Sequence, residues 1–204
     1  DTDIIRDSKE TRRKFFDNIL CQLNQAYLKA LMQFNKLLKN QNALLKQFKE
    51  KQVLDLTLLE TYDQQLTPLN LFISEHRKQL AESFEKIFQR HYHYLTDGKE
   101  QVNIKHETNV FKNFESETIS CHQKDIITTR TSIGVHKDDY VLTIENESIK
   151  QLGSQGQQKS FVLALQLAKF SVFEKYFGLK PLLLLDDIFD KLDEKRIAKL
   201  VSMM

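Results

Sequence analysis

Apolar residues recur at helical spacing through the first half of the chain and at strand spacing only beyond it. Phe15, Phe16, Ile19, Leu20 and Leu23 keep the i, i+4, i+8 rule of one helix face, with Ser8 placed as an N-cap. Tyr27, Leu31, Phe34, Leu38, Leu45 and Phe48 line one side of a second helix over about residues 25–50. The pattern predicts further helices over 53–64 and 69–95, parted near Pro68. No glycine precedes Gly98. Long amphipathic helices joined by short turns pack as antiparallel hairpins.

After "TDGKE" at 96–100 the period shifts. "VNIKHE", "DIITTRTS" and "DYVLTIE" alternate or run β-branched, which predicts strands. "GQQKSFVLALQLAKFSVFEKY" returns to helix from Gly156 to about Tyr176, stacking Phe161, Leu165, Ala168 and Val172. "PLLLLD" is short and wholly apolar, the pattern of a strand buried on both faces of a parallel sheet. Asp193 is placed to cap a last helix. The expected fold class is therefore mixed α/β (α+β), with a helical domain over 1–97 and a second domain over 98–204.

Composition adds three points. The 204 residues are 41% hydrophobic, enough for one or two cores. The formal net charge is +2, yet the basic excess gathers near the N-terminus. Within the second helix Lys29, Lys36, Lys39, Lys46 and Lys49 form a drifting stripe roughly opposite the apolar face, and no acid falls between Asn24 and Lys49. Such a stripe is either a solvated helix back or a track for nucleic-acid phosphates, giving salt-dependent, sequence-blind affinity.

Cys21 and Cys121 follow no metal or redox spacing, which suggests reduced thiols in an intracellular protein. No apolar run approaches the ~20 residues that span a bilayer, so no membrane partner is expected. "HYHYL" at 91–95 puts His91 and His93 on different helix faces, against a joint metal site. His136 with Asp138 and Asp139 is the better metal candidate by type, though a structural role is preferred. The missing initiator Met and the end at "KLVSMM" suggest a piece of a longer polypeptide.

Two stretches carry the chemistry. The carboxyl end of a buried strand is where open α/β sheets place ligands, and "LLLLDD" ends such a strand on two acids. Uncompensated carboxylates are costly there. A Mg²⁺ held by Asp186, with triphosphate oxygens completing its shell, compensates one of them, while Asp187 points elsewhere and can orient an attacking water. Upstream, "LGSQGQQKS" enters a helix through Gly153 and Gly156. The unpaired N–H groups and positive dipole end of a helix start form an anion site. Ser154 can donate its hydroxyl to a phosphate oxygen, and Gln157 and Lys159 add donors.

This pairing resembles the nucleotide-binding heads of the ABC class, in the branch of SMC proteins, Rad50 and RecF. Ser154, Gly156 and Gln157 match the signature loop, Asp186 the Walker B aspartate, Asp187 the catalytic carboxylate and Asp193 the D-loop aspartate. "TSIGVHKDD" (131–139) looks like a Gly-Pro-His-Arg-Asp-Asp segment of the RecF family, with Val135 for Pro and Lys137 for Arg. "SKETRRKFFD" (8–17) and "LLKNQNALLK" (37–46) resemble two helices of that family, with Asn40 and Gln41 altered. Asp190 and Lys191 replace its usual Ser-Glu in the D-loop.

The resemblance implies the C-terminal part of an ABC-type ATPase head in the P-loop NTPase class, carrying an antiparallel helical arm. It implies ATP and Mg²⁺ as cofactors, an ATP-dependent homodimer, and double-stranded DNA at gaps or junctions as a partner. Recombination-mediator proteins of the RecR and RecO type are the further partners implied, with slow ATP hydrolysis in the cytoplasm. No G-x-x-x-x-G-K-[ST] occurs in the sequence, so these residues alone are expected neither to hydrolyse ATP nor to bind it tightly. Two other readings stand beside this one. A metal-dependent nuclease would use Asp186, Asp187, His136 and Asp138, and an SMC-like structural head would need long heptad arms.

Overall fold

A computed structural model of the chain describes residues 2–182 and 194–202. The helices are α1 (Asp3–Arg6), α2 (Lys9–Leu23), α3 (Gln25–Lys51), α4 (Leu56–Thr96), α5 (Phe114–Thr128), α6 (Ile149–Leu152), α7 (Gln155–Phe177) and α8 (Glu194–Ser202). The strands are β1 (Val102–Glu107), β2 (Asp139–Ile144) and β3 (Glu147–Ser148), in the order β1-β2-β3. Among the described residues the architecture is helix-rich with one small sheet, as the mixed α+β expectation has it.

The chain folds as two compact units. One comprises residues 1–19, 79–106 and 140–204, the other 20–78 and 107–139. Both draw on segments from either side of residue 97. Helices α2 and α4 contribute to each unit in turn.

The first unit has an aromatic centre. Phe16 stacks on Tyr140 at 3.8 Å between ring centroids and meets Phe84 edge-on at 5.3 Å, while Phe88 lies 4.6 Å from Phe161. Val102 and Ile104 alternate inward along β1, as Tyr140, Leu142 and Ile144 do along β2. β2 and β3 pair antiparallel, Ile144 opposite Glu147, across a two-residue turn. Glu145 and Asn146 both take positive φ there, the backbone of a type I′ hairpin. α7 is buried almost all round from Gln158 to Ala168, which is why its polar face is absent.

In the second unit α3 buries Tyr27, Phe34, Gln41, Leu45 and Phe48. Leu45 and Phe48 form an apolar cluster with Leu59 of α4, against which Leu44 and Ile126 pack. Asn24 caps α3, accepting from the backbone N–H groups of Ala26 and Tyr27 at 2.9 and 3.1 Å.

Two expectations are corrected. The segments read as separate helices over 53–64 and 69–95 are one 41-residue helix running through Pro68. Pro68 is exposed, as is Gln64, whose carbonyl is the one left without a helical N–H partner. "DIITTRTS" is not a strand: α5 runs to Thr128, and Thr129 closes it in the left-handed region. Its buried positions, Phe114, Thr118, His122 and Asp125, keep helical spacing, but three of the four are polar. The leucine run beyond Leu182 lies outside the described residues, as do Asp186, Asp187, Asp190, Lys191 and Asp193.

Candidate functional site

Ser154 is the N-cap of α7 and closes a capping box. Its Oγ accepts from the Gln157 backbone N–H at 3.2 Å, and Gln157 Oε1 accepts from the Ser154 backbone N–H at 2.7 Å. Neither bond uses the Ser154 hydroxyl proton. Gly153 is required by contact, since an added Cβ would lie 2.5 Å from the Ile149 carbonyl oxygen. Beneath this corner Gln158 is buried, donating to the Gly153 carbonyl at 2.9 Å and accepting from Arg6 Nε at 3.0 Å. Ser160 Oγ donates to the Gly156 carbonyl at 2.9 Å. The structure thus brings Ser154, Gly156 and Gln157 together at one helix start, with Ser154 exposed.

Two residues that the sequence pattern did not single out complete the corner. Gln157 Nε2 donates to Glu100 Oε1 at 2.7 Å, and the buried Tyr92 hydroxyl donates to Glu100 Oε2 at 2.5 Å. Both ends of the Gln157 amide are therefore engaged. Glu100 lies 57 positions from Gln157, and no local pattern announces the pair.

"TSIGVHKDD" is a partly buried segment, with Thr131, Gly134, Val135, Asp138 and Asp139 buried and Lys137 exposed. Gly134 takes φ +124, and a Cβ there would meet Asn70 Oδ1 at 2.8 Å. Asn70 Oδ1 accepts from the Val135 N–H at 2.8 Å. Arg77 donates to the Val135 carbonyl at 2.6 Å and to Asp138 Oδ2 at 2.8 Å, with both side chains almost fully buried. Asp138 is thereby withdrawn from the nuclease reading, because its carboxylate already pairs with a guanidinium away from water. His136 Nε2 lies 3.0 Å from the Thr131 carbonyl. His91 Nε2 is 2.9 Å from Ser171 Oγ, and burial, helped by Arg90, holds its pKa below the ordinary histidine value.

A second buried network ties three helices together. Asp63 lies 2.5 Å from His122 Nε2 and 2.6 Å from Gln41 Nε2, and Gln41 Oε1 accepts from Thr131 Oγ1 at 3.0 Å. Asp125 accepts from the Ser132 N–H at 3.0 Å. Burial pushes the Asp63 carboxyl above the ordinary value, only partly offset by His122 and Gln41, and burial does the same at Asp125. Among the described residues no group of three or more His, Cys, Asp or Glu could hold a metal ion.

Lys29, Lys36, Lys39, Lys46 and Lys49 are all exposed on α3, while Tyr27, Phe34, Leu45 and Phe48 are buried beneath them. No helix among the described residues is long and apolar enough to cross a membrane.

No protein-family model matches the chain. Along all of its length it is 44% identical to the DNA replication and repair protein RecF of Cytophaga hutchinsonii, covering 54% of that protein. It is 43% identical to the RecF of Flavobacterium johnsoniae, of which it covers 57%. The chain thus spans about half the length of the curated relatives it matches. A solved structure of the recombination mediator protein RecF with ATP, in the RecFOR pathway, superposes with a TM-score of 0.89. That match is 26% identical and covers 99% of this chain and 56% of the other.

Proposed function

With this chain a member of the RecF family, we propose that it supplies the signature side of an ATP site in a DNA repair and replication ATPase. The observation that carries this reading is the exposed Ser154 cap on α7, whose hydroxyl proton is left over by its own capping box. A helix buried from Gln158 to Ala168 with its start open to solvent suits an anion approached from outside the subunit.

In this scheme ATP is cradled by a Gly-rich phosphate loop carried in the half of the family's length that this chain does not span. Ser154, Gly156 and Gln157 of one subunit close on the terminal phosphate held by the other. The adjacent carboxylates Asp186 and Asp187 divide the remaining work. As a hard oxygen ligand, Asp186 suits Mg²⁺, a dication that supplies neutralising charge to phosphate oxygens. Asp187 orients the attacking water, and Asp193 crosses the interface. Catalysis is then positioning and charge compensation, and slow turnover times the release of the dimer.

The exposed α3 lysines track the phosphates of double-stranded DNA near gaps or junctions, and mediator proteins of the RecR and RecO type are recruited meanwhile. The resident compartment is the cytoplasm. Sedimentation of the full-length Asp187→Asn protein tests the scheme. ATP should convert it to a dimer that does not turn over, whereas a monomer at every ATP concentration overturns the reading.

A further inference from the structure

We propose that Tyr92 and Glu100 are positioning residues that fix the orientation of the Gln157 amide and thereby present Ser154 to a phosphate. This rests on the ATP-site reading above and assigns the device that holds that site in its competent state.

A primary amide has one end that accepts and one that donates, and it can turn end for end. The Gln157 side-chain amide meets the Ser154 backbone N–H at 2.7 Å, so the amide oxygen must face it. Were the amide reversed, its NH₂ would oppose that N–H, donor against donor, and the capping box would open. A carboxylate is acceptor-only, and Glu100 stands 2.7 Å from the other end of the amide. It therefore takes the NH₂ and excludes the reversed state, through a bond strengthened by its charge.

Glu100 is itself held from two sides. Tyr92 Oη donates to its second oxygen, and the Tyr92 ring is fully buried, 6.1 Å from Phe88 and 6.0 Å from Phe161. The next residue, Gln101, exchanges two bonds with Glu145, its N–H to the Glu145 carboxylate at 2.6 Å and its carbonyl from the Glu145 N–H at 2.8 Å. Tyr92, Glu100, Gln157 and the Ser154 cap thus form one hydrogen-bonded line, and Gln101 ties the neighbouring backbone to the β2–β3 turn. Its output is where Ser154 Oγ sits and which of its groups stays uncommitted.

The test uses the full-length protein and ATP itself as probe. Tyr92→Phe keeps the ring and removes the hydroxyl, and Glu100→Ala removes the acceptor. Both should weaken ATP-dependent dimerisation roughly tenfold or more, the scale of one charge-assisted hydrogen bond. Binding of ATP to the monomer should stay at the wild-type value in both variants, because the signature meets nucleotide only across the dimer. Glu100→Gln keeps an accepting oxygen and should dimerise more tightly than Glu100→Ala. Wild-type dimerisation by Tyr92→Phe and Glu100→Ala, or a loss confined to thermal stability, overturns the proposal. A wild-type protein that stays monomeric with ATP removes the underlying reading instead.

Discussion

Arg77 and Asp138, 61 positions apart, form a buried ion pair, Arg77 Nη1 lying 2.8 Å from Asp138 Oδ2. The same guanidinium nitrogen donates to the Val135 carbonyl at 2.6 Å, so one side chain of α4 holds both the start and the end of the turn after Gly134. Replacing one partner of such a pair leaves a charge buried without compensation. Arg77→Leu should destabilise the second unit by about 3–5 kcal/mol, read by urea unfolding followed by circular dichroism. A loss below about 1 kcal/mol would mean that water reaches Asp138.

The Asp63 and Asp125 carboxyls give the stability a pH dependence of definite sign. Burial raises both above their unfolded-state value, so the folded chain holds these protons more tightly than the unfolded chain. Stability from this source is fully present below the unfolded carboxylate pKa of about 3.9 and is lost as pH rises through the folded values. The wild type should therefore gain stability relative to Asp63→Asn/Asp125→Asn as pH is lowered from 7 towards 4. A difference that stays constant, or moves the other way, contradicts the assignment.

Pro68 lies on the exposed face of α4, within 41 continuous helical residues. Inside a helix proline costs about 3 kcal/mol relative to alanine, offset by up to about 1 kcal/mol because it stiffens the unfolded chain. Pro68→Ala should raise stability by about 2 kcal/mol in the same unfolding assay. Destabilisation would show that the helix geometry at Pro68 is needed by its packing.

The lysines of α3 give a prediction in salt. For duplex DNA, every lysine–phosphate pairing that is removed should reduce the slope of log K against log salt by about 0.9. Lys36→Glu, Lys39→Glu and Lys46→Glu together should weaken duplex binding by the full-length protein and flatten that slope. Binding and slope equal to the wild type would assign these side chains to solvent.

How much of this could be read from sequence depended on whether the buried face of each element is apolar. α3, β1 and β2 were legible because Tyr27, Phe34, Leu45, Phe48, Val102, Ile104, Leu142 and Ile144 repeat at the period of their element. α5 was not, because its inward face carries Thr118, His122 and Asp125, whose burial depends on partners such as Asp63 and Ser132 from elsewhere in the chain. The β-branched "IITT" then read as a strand. Pro68 suggested a break because local chemistry alone does not say which face of a helix meets water.

At the candidate site the helix start at Ser154 was legible from its glycines, serine and glutamines. Glu100 was not, since its bond to Gln157 across 57 positions leaves no periodic trace, and Tyr92 enters only through Glu100. The proposed roles of Asp186, Asp187 and Asp193 rest on the sequence and family membership, because these residues lie outside those described.

The central claim is that Ser154 serves a nucleotide bound by another subunit, and mixing two inactive proteins tests it most directly. One is full-length Ser154→Arg, whose signature corner is blocked. The other carries Ser154 but has the lysine of its phosphate loop replaced. Each alone should show no DNA-stimulated ATP turnover, and the mixture should regain it, since a heterodimer assembles one intact site from the two halves. A mixture as silent as its components, although heterodimers form, would contradict the claim.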